Sequence, residues 1–200
     1  FNMIHNTHRI VLTGGPGGGK TTAADLIRRE LGEKIVVVPE AATMLFSGGF
    51  PRADLCDQNA EIAAQKAIFH VQQNIEDVVH AMYPGRVLLC DRGTVDGAAY
   101  WPNGNGEDFF QAMHTSHEGE LSRYDAVIFF ETAAKGGISI EMGNPIRNED
   151  NLRAVELDKK LQSYWSKHKN FVFVKHQTSF IKKLQCAIQA LEKTIEKLNQ

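Results

Sequence analysis

The chain has few cysteines, no excess of either charge, no long apolar run and no internal repeat or low-complexity tract. Its three cysteines, Cys56, Cys90 and Cys186, are odd in number and share no metal-like spacing. That pattern excludes a disulfide-stapled scaffold and a zinc ribbon, and it points to reduced thiols in a cytoplasmic protein. Lys and Arg number 22 against 24 Asp and Glu, so the net charge of −2 provides no basic field for gripping nucleic acid. Local arginine clusters can still hold a small anionic ligand. No apolar stretch approaches the roughly 18–20 residues that span a bilayer, and no secretory segment opens the sequence. Met3, after Phe1-Asn2, is expected to be the native initiator. With 42% hydrophobic and 23% charged residues, composition is that of an ordinary globular protein. Two hundred residues suit one domain, 1–200, able to fold without staples.

What is present begins with Gly14–Thr21, which reads G-G-P-G-G-G-K-T and fills the phosphate-loop pattern G-x-x-x-x-G-K-[ST]. The apolar run Ile10-Val11-Leu12-Thr13 precedes it and a helical pattern follows from Thr21. Strand, glycine loop and helix are what the chemistry requires. Gly15, Pro16, Gly17, Gly18 and Gly19 let the backbone curl so that its N–H groups face a phosphate, and the helix N-terminus adds positive potential. Lys20 is expected to bridge the β- and γ-phosphates, Thr21 to ligate Mg²⁺, and Thr22 to complete the loop. A G-x-G-x-x-G dinucleotide fingerprint fails in every register, because Lys20 or Thr22 falls where the third glycine belongs. These residues predict a nucleoside triphosphate site.

Five apolar runs read as strands: Arg9–Thr13, 34–38, 86–90, 125–130 and 170–174. Most are continuous rather than alternating, as in strands covered on both faces. Helical patterns separate them at about 20–31, 57–82, 106–117, 151–168 and 179–199. Alternating strand and helix predicts an α/β, three-layer fold with a parallel sheet and helices on both faces, ligands binding beyond the carboxyl ends of the strands.

The strand ends carry the chemistry. Val87–Cys90 delivers Asp91, an acid suited to hold Mg²⁺ or to accept a hydroxyl proton. Arg92 can neutralise a phosphoryl oxygen or orient an acceptor. Glu40, beyond Val37-Val38-Pro39, reads as general base, as acceptor of a substrate hydroxyl, or as a helix-start acid stabilised by the macrodipole. Glu131 is a third strand-end acid. Residues 135–153 read as a lid, with glycine hinges at Gly136-Gly137 and Gly143, which would bring one or both of Arg147 and Arg153 to the γ-phosphoryl group. His114 and His117 stand i, i+3 apart with no third ligand placed, so solvated histidines are favoured over a metal pair. Tyr100-Trp101 and Phe109-Phe110 suit either stacking on a planar acceptor or packing.

These motifs resemble the NadR-like P-loop kinase-like ATPases, the AAA_28 family. The carrying residues are Thr13–Pro16 with Gly19–Thr22, Pro39-Glu40-Ala41-Ala42, Gln65–Phe69, the long run Asp91-Arg92-Gly93-Thr94-Val95-Asp96-Gly97-Ala98-Ala99-Tyr100-Trp101-Pro102, Asn144–Glu149 and Leu157–Leu161. The resemblance implies a nucleoside-monophosphate-kinase-like fold with a five-stranded parallel sheet in order 2-3-1-4-5. It also implies a kinase-type lid, a Walker-B-type role for Asp91, a role for Glu40 at acceptor hydroxyls, and contact of 175–178 with the base. The expected activity is transfer of the γ-phosphoryl group of Mg-ATP to a hydroxyl or phosphate of a small nucleoside- or riboside-like acceptor. Lys20, Arg92 and Arg147 would handle charge, Arg153 would help hold the nucleotide, and Glu40 or Asp91 would serve as base. The alternative is a GTP- or ATP-binding switch or an NTPase without an acceptor. Against GTP selectivity, Glu131–Lys135 lacks the Asn-Lys-x-Asp reader that would follow the fourth strand.

Overall fold

The computed structural model describes residues 7–52, 57–102, 105–136 and 148–198. Five strands, β1 (Arg9–Thr13), β2 (Ile35–Val38), β3 (Val87–Asp91), β4 (Ala126–Phe130) and β5 (Phe171–Val174), form one parallel sheet in the order β2-β3-β1-β4-β5. Among the described residues eight α-helices surround it: α1 (Lys20–Leu31), α2 (Ala41–Ser47), α3 (Gln58–Met82), α4 (Gly97–Tyr100), α5 (Gly106–Ala112), α6 (His117–Ser122), α7 (Asn148–Trp165) and α8 (Phe180–Leu198). All five expected strands are there, in the expected order.

Strand geometry splits the core in two, because successive side chains point to opposite faces. Val11, Leu88, Cys90, Val127 and Phe129 face one way and pack with Phe69, Phe109, Phe110, Leu161 and Trp165. Ile10, Leu12, Leu89, Ile128 and Phe130 face the other way, onto Ala23, Ile27, Ala187 and Leu191 of α1 and α8. The continuous apolar runs follow from this double burial. β5 departs from it: as the edge strand it is only partly covered, and Phe173 is exposed.

Helix boundaries differ where local chemistry intervenes. Asp57 caps α3, its carboxylate accepting from Ala60 N–H at 2.9 Å. The helix expected over 106–117 stops at Ala112, and a separate helix, α6, begins only at His117. His114 takes a left-handed φ of 54°, and Ser116 caps α6 by accepting from Gly119 N–H at 3.0 Å. α2 and α4 are too short to show a helical period and carried no signal. Cys56, the lid glycines Gly137 and Gly143, and Arg147 lie outside the described residues.

Candidate functional site

The sheet order brings separate strand ends together. Leu12 pairs with Asp91 and Val38 with Cys90, so the loop after β1 and the acids after β2 and β3 share one edge. Gly14, Gly17 and Gly19 adopt φ of 138°, 71° and 80°, conformations that disfavour any side chain. At Gly14 a Cβ would sit 2.0 Å from the Phe130 carbonyl oxygen. α1 then starts at Lys20, as the motif predicts.

Lys20 is buried, and its Nζ donates to the Gly15 carbonyl at 2.7 Å. Burial, then the charge of Arg92, lowers its pKa to about 7. The Thr21 hydroxyl donates to Asp91 Oδ2 at 2.8 Å. Asp91 Oδ1 is buried and hydrogen-bonds to nothing among the described residues. Burial raises the Asp91 pKa against the pull of the Thr21 hydrogen bond. A buried carboxylate oxygen without a donor, beside a hydroxyl, is a donor set that suits a hard cation, so Thr21 and Asp91 fit Mg²⁺. No group of three or more His, Cys, Asp or Glu that could hold a metal occurs among the described residues. His117 packs flat on Phe110 with ring centroids 5.0 Å apart and is buried, which corrects the expectation of a solvated side chain. His114 is exposed.

Glu40 and Arg92 meet across the site. Arg92 Nε lies 2.7 Å from Glu40 Oε1, and its NH1 is 3.0 Å from Asp96 Oδ2. Arg92 itself holds a positive φ of 68°, a costly conformation for a long side chain. Burial opposes its charge, but Tyr100, Asp96 and Glu40 overcome this and hold its pKa above the ordinary value. Glu40 is the residue before α2, yet its side chain makes no cap bond; Oε2 instead accepts from Thr43 Oγ1 at 2.6 Å.

Three residues that motif reading gave little or no chemistry support this pair. Asp96, buried, accepts from Thr13 Oγ1 at 2.8 Å and from the Trp165 indole N–H. Gln72 accepts from Ala41 N–H at 3.3 Å and donates to the Arg92 carbonyl at 3.3 Å, joining the two site loops. Glu76, fully buried in mid-α3, takes Gln72 (2.9 Å), Tyr124 OH (2.8 Å) and Arg123 (3.1 Å). In sequence, Gln72 and Glu76 are polar residues on an amphipathic helix; only the placement of α3 shows that they point inward.

A cleft of about 730 Å³ opens above these groups. Pro16 and Gly17 of the phosphate loop border it, with Glu40, Arg92 and Asp96 at its head and Phe46, Ile68, Phe69 and Tyr100 along its apolar wall. Gln65, Glu61 and Arg52 add polar groups, and exposed Arg153 stands at the border. Of the four aromatics considered for stacking, only Tyr100 lines the cleft; Trp101, Phe109 and Phe110 pack edge-to-face in the core. Glu131 is buried, and its Oε2 accepts from His176 N–H at 2.9 Å. Thr22 is exposed, one residue beyond the hydroxyl that meets Asp91.

A phosphate loop after β1 of a parallel sheet ordered 2-3-1-4-5 defines the P-loop kinase fold. The chain belongs to the AAA domain family AAA_28, whose model matches residues 9–183. No curated protein matches the sequence significantly. Among solved structures the fold is similar to that of NadR protein in complex with NR, at 12% identity and a TM-score of 0.65. That match covers 95% of this chain and 51% of the other, so the chain spans about half the length of NadR. The fold is also similar to that of deoxyadenosine kinase from M. mycoides with bound dATP, at 16% identity and a TM-score of 0.63, covering 92% and 99% of the two chains. At these identities the likeness is one of fold. No described helix is long and apolar enough to cross a membrane.

Proposed function

We propose that the protein transfers the γ-phosphoryl group of Mg-ATP to a hydroxyl of a small nucleoside- or riboside-like acceptor bound in the cleft. The observation that carries the reading is the Glu40–Arg92 pair at 2.7 Å, facing a cleft whose border includes the phosphate loop. In this reading residues 15–22 hold the triphosphate. The buried Lys20 Nζ exchanges its Gly15 carbonyl for phosphate oxygens, and an anionic ligand favours its ammonium form, offsetting the lowering of its pKa by burial. Thr21 and Asp91 would hold Mg²⁺, which when bound neutralises phosphate oxygens.

Glu40 is the better base, and Asp91 the metal acid. Glu40 borders the cleft, whereas Asp91 is turned to Thr21 beneath the loop. Arg92, fixed between Glu40 and Asp96, keeps the Glu40 carboxylate oriented and presents positive charge to the acceptor. The wall of Phe46, Phe69 and Tyr100 with Gln65 suits a flat ring bearing hydrogen-bonding edges. The names of the two similar structures, one a complex with NR and one a deoxyadenosine kinase, point to the same acceptor class. Arg147 and Arg153 are proposed to stabilise charge on the transferring group from the lid side.

The test is ADP release from Mg-ATP across nucleosides, ribosides and nucleotides, with Lys20→Met as blank. Release that depends on one acceptor class and is lost in the variant supports the kinase. Tight nucleotide binding with slow release, indifferent to every acceptor, refutes it in favour of a nucleotide switch.

A further inference from the structure

Two buried charges reach the phosphate loop from outside the motif. Asp158, in α7, is fully buried, and its Oδ1 accepts from the backbone N–H of Gly15 at 2.9 Å and of Thr132 at 3.0 Å. Lys183, in α8, is also buried, and its Nζ donates to the carbonyls of Gly18 at 3.1 Å and Glu131 at 2.6 Å. The ammonium lies 5.1 Å from the centroid of the Phe130 ring.

The arrangement is complementary. A carboxylate can only accept and an ammonium can only donate, so each takes the backbone group the other cannot. Asp158 secures the first half of the loop and Lys183 the second. Both then bond to consecutive residues, 131 and 132, just beyond β4. The Thr132 hydroxyl adds a third tie, donating to the Pro16 carbonyl at 2.7 Å. The fit at Gly15 is close: a Cβ there would lie 2.7 Å from Asp158 Oδ1. Asp158 alone would place negative charge beneath the expected triphosphate; Lys183 offsets that field. Burial lowers the Lys183 pKa to about 8, while the charges of Asp158 and Glu131 favour the ammonium.

We propose that Asp158 and Lys183 are positioning residues that clamp the phosphate loop in its polyphosphate-binding shape and thereby tie α7 and α8 to nucleotide occupancy. The inference rests on the reading that residues 14–21 bind a nucleoside triphosphate. Holding the loop in advance removes the ordering cost from the binding step. A charged hydrogen bond lost from a buried site corresponds to a change of about tenfold or more in affinity.

The test titrates a fluorescent ATP analogue with Mg²⁺ into the full chain and into Lys20→Met, Lys183→Met, Lys183→Arg and Asp158→Ala, each with a thermal melt. Lys183→Met and Asp158→Ala are expected to weaken binding about tenfold or more while melting cooperatively, and Lys183→Arg to recover most of the loss. Nucleotide is expected to slow amide exchange in α7 and α8 of the wild-type chain and not in Lys20→Met. Folded Lys183→Met binding within twofold of wild type overturns the clamp, as does Lys183→Arg binding no better than Lys183→Met. If Asp158→Ala does not fold, the two Lys183 variants decide. Lys20-dependent binding untouched by the clamp variants sinks only this inference; absence of nucleotide binding by the wild type sinks the proposed function with it.

Discussion

Replacing Asp96 with Asn changes one oxygen for an amino group and almost no volume, so it isolates the polarity of the site. Asp96 Oδ1 accepts from Thr13 Oγ1 and the Trp165 indole N–H, and Oδ2 from Arg92 NH1. The Thr13 hydroxyl can turn and accept instead, but the indole and guanidinium only donate. Whichever way the amide is placed, its NH₂ group faces a donor, and one buried donor loses its acceptor. The Arg92 charge also loses one of its two carboxylates. Charged hydrogen bonds contribute about 1.5–3 kcal/mol each, and with the stranded donor the expected loss is about 2–4 kcal/mol. For a chain of this size that lowers the melting temperature by about 4–16 °C. Urea and thermal unfolding followed by circular dichroism measure it. A companion substitution sharpens the argument: Trp165→Phe removes the indole donor, so it should cost less in the Asp96→Asn background than in the wild type. A loss below about 0.5 kcal/mol, or strictly additive effects, would refute the reading of Asp96 as a buried three-donor acceptor.

Glu40→Gln is expected to depress turnover on an identified acceptor by about 10²-fold or more while sparing ATP affinity; lost ATP binding would contradict its role as base. Gly14→Ala should cost about 3 kcal/mol or more, since the Cβ meets the backbone oxygen of Phe130, which cannot move aside; a denaturation midpoint equal to wild type would refute the close approach. His117 is held below its ordinary pKa of 6.5 by burial and then by the charge of Lys167. The unfolded chain therefore takes up this proton first as pH falls. The stability His117 contributes is full above pH 6.5 and is lost as pH drops toward the folded value, and His117→Gln should flatten that part of the stability–pH curve. Glu76→Ala should cost about 3–5 kcal/mol by stranding Arg123 and Tyr124 in a buried network, measured by urea unfolding; a near-neutral result would show that the network relaxes freely.

The strands and the phosphate loop were legible because their signals are local. A strand buried on both faces must be apolar throughout, and a loop whose N–H groups converge on phosphate needs glycine where φ is positive. Glu40, Asp91 and Arg92 were legible as residues at strand ends. Their pairing was not: Glu40 and Arg92 are far apart in sequence, and it is the β2-β3 register that brings their segments together. The early end of the helix expected over 106–117, at Ala112, goes with a left-handed residue at His114 that no periodicity marks.

By itself the sequence determined the fold class, the strand order through family resemblance, and the glycine-rich phosphate-loop motif between β1 and α1. Tertiary structure alone decided that Glu40 faces the cleft while Asp91 turns to Thr21, and that Asp96 anchors Arg92. It alone showed that Asp158 and Lys183 grip the loop from two helices more than a hundred residues downstream. The physical reason is one of range. Backbone conformation and amphipathic pattern are encoded by near neighbours, whereas a buried charge acquires its meaning only from the donor or acceptor that packing places beside it.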